Sequence, residues 1–140
     1  MSEHQYPPPQ HHQQYAPAPL SPSDERMWGM FGHLSAIAAG FLTLPFLGPL
    51  IVFLVFKDRS GFVRGHSAEA LNMTISLVVY EIVLTVVFSI LTVVTLGIGS
   101  VLFALLAVPA IAALVCAVLA AVAANQGRVY RYPLIIRMVR

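Results

Sequence analysis

Between residues 27 and 56 the chain carries no Asp, Glu, Lys or Arg. Two more apolar stretches follow, at 70–96 and 101–124. Each reaches or exceeds the roughly 20 residues that a helix needs to cross a bilayer core of about 30 Å. A chain of 140 residues cannot enclose three such stretches in one small water-soluble core. Composition agrees, with 58% hydrophobic residues, 10% charged residues and a mean hydropathy of +0.79. Soluble domains carry about 25% charged residues. The remaining solvent is lipid, where each span must satisfy its own backbone polar groups, so the fold is all-α.

The first stretch is interrupted at "LPFLGP". Pro45 lacks a backbone donor and disfavours helix at Leu44, and Gly48–Pro49 repeats the break. The spacing predicts one helix over 27–44 and a shorter one over 49–56, with Pro49 at its first position. The short arm, about 12 Å long, cannot cross alone. It is either part of a kinked crossing or the returning arm of a hairpin.

Charge placement selects the hairpin. The loop "KDRSGFVRGH" holds Lys57, Arg59 and Arg64 against Asp58, while "TLGIGS" holds no charge. Arg128, Arg131, Arg137 and Arg140 crowd the C-terminal stretch, with no acid after Glu81. Basic loops stay on the cytoplasmic side, so residues 57–66 and the C-terminus are expected inside and 95–100 outside. A hairpin then keeps the N-terminus inside too. The fold expected is an integral membrane helical bundle: a broken helical hairpin plus two long transmembrane helices, about four membrane segments in all. The location expected is the plasma (inner) membrane, with both termini cytoplasmic.

Three regions result. Residues 1–20 are rich in Pro, Gln and His and poor in aliphatics. They cannot bury enough surface to order, and are expected as a disordered cytoplasmic tail. Residues 21–126 form the transmembrane domain. It opens on "SPSD", where Ser21 caps, Pro22 takes the first helical position and Asp24 completes a capping box. No signal-peptide core is expected, because the first apolar run has no basic region before it. Residues 127–140 form a basic amphipathic interfacial segment. Pro133 is expected to begin a short helix there, with Tyr130 and Tyr132 at headgroup level and the four arginines facing lipid phosphates.

Two polar stripes mark the second apolar stretch. Glu69, Asn72, Ser76 and Tyr80 share one face at spacings of three and four. Glu81, Thr85, Ser89 and Thr92 share another. The third stretch repeats small residues every four positions at Ala113, Ala117 and Ala121, which lets helices approach closely. Pro109 is expected to kink this helix and free the Leu105 carbonyl.

Glu81 is the most unusual residue, a carboxyl near mid-membrane with no intramembrane Lys or Arg to pair with. Either it is a neutral acid hydrogen-bonded to Thr85 or a neighbouring helix, or it is a proton or cation site. His33, Asn72 and Glu81 are the intramembrane polar candidates. His33, His66 and Glu69 match no zinc spacing and are expected as a polar interface at helix ends, so no metal or cofactor is predicted. Cys116 is the single cysteine, which excludes an internal disulfide. No paired carboxylates, catalytic triad or phosphate loop is present, so no enzyme activity is expected. The basic C-terminal stretch beside membrane spans points to anionic lipid and not to nucleic acid.

The stretches "ERMWGMFGHLSAI", "LGPLIVFLVFKDRSGFVRGHSAEALN" and "YRYPL" resemble a widespread family of small bacterial membrane proteins defined as a domain of unknown function. That family is distantly similar to the channel-like subunit of the Tic import machinery of chloroplasts. The resemblance covers residues 25–138 and implies a multi-pass helical protein with both ends on one side. It implies transport as a function and assigns no catalytic or cofactor residue. The function expected is a small self-assembling scaffold or pore-like subunit, working as a homo-oligomer or within a larger membrane complex. The alternatives are an adaptor that recruits a soluble partner through its tail, or an ion or proton carrier that uses Glu81.

Overall fold

A computed structural model describes residues 17–42 and 44–140. Helix α1 spans Pro22–Gly40, α2 Leu47–Phe56, α3 Gly61–Val94 and α4 Ala107–Asn125, and a 3-10 segment at Ile98–Leu106 leads into α4. No strand forms among the described residues. The all-α expectation holds.

Helix α1 begins where its sequence signals it. Ser21 Oγ accepts from Asp24 N at 3.2 Å and donates to Asp24 Oδ2 at 2.7 Å. The helix stops at Gly40, four residues before the expected end at 44. Leu42 N and Leu44 N both turn back to the Ala39 carbonyl, at 3.0 and 3.3 Å. Glycine is a poor helix former, and Pro45 bars helix at Leu44, so the turn moves upstream. Helix α2 begins two residues earlier than expected. Pro49 falls within its first turn, where the missing N–H costs nothing.

The two helices form a hairpin. The Trp28 and Phe56 ring centroids lie 4.4 Å apart. Near the turn, a Cβ on Gly48 would stand 2.3 Å from the Ser35 carbonyl oxygen, so only glycine permits this approach. Ser60 links the hairpin to α3: its Oγ accepts from Val63 N at 3.1 Å as the N-cap and donates to Glu25 Oε1 at 2.6 Å. The start of α1, the 57–60 loop and the end of α4 therefore share one end of the bundle. Most of the tail lies outside the described residues. Residues 17–20 belong to this end, where the Ala18 carbonyl accepts from Arg59 Nε at 3.2 Å. Leu20 and Trp28 pack on buried Val52, Phe56 and Val63.

Helix α3 has 34 residues, which is about 51 Å at 1.5 Å per residue and well over the bilayer core. Two helical runs, Gly61–Val94 and Ile98–Asn125, are long and apolar enough to cross a membrane. They turn at the far end through Gly97, whose φ of +101° suits glycine. The 3-10 segment corrects the reading of Pro109. Ala107 N–H turns to the Ala104 and Leu105 carbonyls. The helix changes pitch before the proline, Pro109 falls in the first turn of α4, and the Leu105 carbonyl is not freed.

Ala117, Ala120, Ala121, Ala123 and Ala124 are buried. The small-residue face of α4 is used inside the chain, against α1. A Cβ on Gly29 would lie 3.5 Å from Ala124 Cβ.

Candidate functional site

The polar residues of the first stripe on α3 meet the C-terminal stretch, and this overturns the expected helix at Pro133. The stretch from 128 to 140 contains no helix. Leu134 sits at φ +52°, which ends any helix that Pro133 could start. Tyr80 Oη donates to the Leu134 carbonyl at 2.7 Å. Ser76 Oγ accepts from Ile136 N at 2.8 Å. Asn72 Oδ1 accepts from Met138 N at 2.9 Å and Val139 N at 2.8 Å, while its Nδ2 donates to the Val139 carbonyl at 2.8 Å. As α3 is read from residue 80 back to 72, the strap is read from 134 on to 139, so the two run antiparallel. Four helical residues advance about 6.0 Å and two extended residues about 6.7 Å. That near match lets a helix stripe at spacing four satisfy a strap at spacing two.

Glu69 fixes the strap's other arm. Its Oε1 accepts from Arg137 Nε at 2.9 Å, and its Oε2 accepts from Tyr132 N at 3.2 Å. Arg137 Nη2 also donates to the Tyr132 carbonyl at 3.0 Å. Tyr132 thus enters the protein instead of resting at headgroup level, and is 2% exposed. Burial, with smaller contributions from Tyr130, Cys116 and Glu69, pushes its phenol well above the ordinary tyrosine value, so it keeps its proton.

Beneath the strap lies a buried chain of three side chains. Tyr132 Oη is 2.9 Å from His33 Nδ1, and His33 Nε2 is 2.9 Å from His66 Nδ1. The outer nitrogen of this chain, His66 Nε2, is buried and closes no hydrogen bond of normal geometry, with the Arg128 backbone a weaker hydrogen-bonding contact of the ring. A cavity of about 360 Å³ opens there, lined by Phe62, His66, Glu69, Arg131, Arg137 and Arg140 among others. Among the described residues, no group of three or more His, Cys, Asp or Glu converges as metal ligands.

The structure therefore brings His33 and Asn72 to one junction and leaves Glu81 apart from it. Glu81 Oε1 is buried and has no hydrogen-bond partner within the chain. Two other members of the second stripe bond within their own helix: Ser89 Oγ donates to the Thr85 carbonyl and Thr92 Oγ1 to the Phe88 carbonyl. Of the four arginines, Arg137 pairs with Glu69 and Arg128 donates to the Gln126 side chain. Arg131 and Arg140 are exposed at the cavity. Sequence reasoning missed Tyr132 as a buried donor. The signal was available in His33, a polar ring on an apolar helix that needed a partner.

These features define a small helical membrane protein, sealed at one end by a strap over a histidine pair and apolar at the other. The chain belongs to the magnetosome magnetite crystal formation protein family, whose profile matches residues 24–139. No curated protein and no solved structure matches it. The membership makes specific the likeness to a family of small membrane proteins. The likeness to the Tic subunit finds no support in these comparisons.

Proposed function

We propose that this protein is a self-assembling scaffold of the magnetosome membrane that contributes to magnetite crystal formation by organising that membrane, not by catalysis. Family membership supports the setting. The bareness of the far halves of α3 and α4 carries the reading of assembly. Val93 of α3 is 75% exposed and Val108 of α4 62%, while the strapped end is closed by side chain–backbone bonds. Lipid can cover such a face, and so can a second copy of the chain packed helix against helix in the bilayer. On this reading the basic end, with residues 57–64 and 126–140, faces the cytoplasm and the anionic leaflet.

The test is Glu81→Gln in cells lacking the native gene, scored by crystal size and number in electron micrographs. An amide keeps the shape and the hydrogen bonding of a neutral acid, so crystals and assembly are expected to survive. Folded Glu81→Gln protein that assembles normally but fails to restore crystals would overturn the scaffold reading in favour of a proton or cation carrier.

A further inference from the structure

The cavity at the strapped end has the chemistry of an anion site. Three arginines, Arg131, Arg137 and Arg140, line it against one carboxylate, Glu69. Both oxygens of that carboxylate are already engaged, by Arg137 and by Tyr132 N. The cavity also takes in the first turns of α3, through Gly61 and Gly65. A Cβ at either glycine would meet nothing within 4 Å, so the approach to the helix's positive end is open.

The buried chain supplies a second observation, independent of surface charge. His66 is 3% exposed and lines the cavity, and its Nε2 closes no hydrogen bond of normal geometry, the Arg128 backbone being a weaker contact of the ring. The hydrogen-bond network fixes what that nitrogen carries. Tyr132 keeps its proton and is buried, and its hydroxyl hydrogen has one acceptor in the chain, His33 Nδ1. His33 then bears its proton on Nε2 and donates to His66 Nδ1, which leaves His66 with Nε2–H. The reverse order would strand the Tyr132 hydroxyl hydrogen inside the protein. The chain therefore presents a donor at the cavity, fixed from behind by two side chains.

We propose that this cavity is a seat for a phosphate group, held by the guanidinium groups of Arg131 and Arg140 and by the His66 Nε2–H donor, while Arg137, whose Nε and Nη2 are engaged by Glu69 and the Tyr132 carbonyl, closes one wall. Planar guanidinium groups match phosphate oxygens bidentately, and a neutral N–H donor adds direction without a further charge. A lipid headgroup and free phosphate share this chemistry. The inference does not depend on self-assembly, because all of its groups belong to one chain.

The experiment titrates the full chain in detergent with dihexanoyl phosphatidic acid, dihexanoyl phosphatidylcholine and inorganic phosphate by calorimetry. Saturable 1:1 binding of the phosphatidic acid is expected, with the phosphatidylcholine at least tenfold weaker. If inorganic phosphate competes, the seat reads the bare phosphate. If it does not, the seat reads a lipid headgroup. Arg131→Gln and Arg140→Gln, both at exposed positions, are each expected to weaken binding about tenfold. Arg64→Gln removes the same charge from α3 outside the cavity and is expected to change affinity by less than about twofold. The proposal is overturned if no lipid or phosphate binds saturably, if both lipids bind equally, or if Arg64→Gln weakens binding as much as Arg131→Gln.

Discussion

Asn72→Ala would unlatch the C-terminal strap. Asn72 is 1% exposed and holds three backbone groups of the strap: Met138 N, Val139 N and the Val139 carbonyl. Each hydrogen bond contributes about 0.5–1.5 kcal/mol net. The three together amount to about 2–4 kcal/mol of local stability, since the freed groups lie near the surface and can find water when the strap lifts. At 1.4 kcal/mol per factor of ten, amide protection at Ile136, Met138 and Val139 should fall by roughly thirty- to several-hundred-fold. Hydrogen exchange read by mass spectrometry on the 127–140 peptide measures it, with peptides from α4 as the internal reference. Asn72→Asp separates donor from acceptor. It keeps the acceptor for Met138 N and Val139 N but turns an oxygen toward the Val139 carbonyl, so protection should fall at least partway. Unchanged protection in Asn72→Ala would refute the claim that the α3 stripe holds the strap.

Gly48→Ala should split the α1–α2 hairpin or abolish folding, because its Cβ would meet the Ser35 carbonyl oxygen at 2.3 Å. A loss of at least about 3 kcal/mol is expected, read as a lowered thermal midpoint in detergent, while Gly61→Ala, with open space at its Cβ, should be nearly silent. Topology reporters fused before Pro22, in the 57–60 loop and after Arg140 should all report the cytoplasm, and a reporter at Gly97 the opposite side. An N-terminal fusion reporting the far side would overturn the hairpin in the membrane.

The helices were legible because lipid makes length and hydropathy decisive. The Ser21 cap, the break at "LPFLGP" and the turn at "TLGIGS" each carried a local signal that the structure uses. The boundaries at Gly40 and Leu47 were less legible, since the turn that Pro45 forces can close at any of several residues before it and here closes on the Ala39 carbonyl. The site was half legible. The first stripe on α3 stood out by its spacing, and so did His33 as a buried polar group, but not what they bond. The strap read as a helix because Leu134, Ile135, Met138 and Val139 fit a helical period. Its conformation is set instead by acceptors about 60 residues away in the chain, which no local pattern reports. Glu81 was legible as anomalous, and the single chain gives its buried oxygen no partner.

The strap closes one end of the molecule, and the proposed function makes the other an assembling end. Disulfide trapping in native membranes tests it most directly, in a Cys116→Ala background with one new cysteine per variant. Val86 lies on the bare part of α3 at 53% exposure and Val129 at the strapped end at 77%. Self-assembly through the bare faces makes Val86→Cys form covalent dimers on mild oxidation and leaves Val129→Cys monomeric. A monomeric Val86→Cys protein, or dimers through Val129→Cys alone, would contradict it.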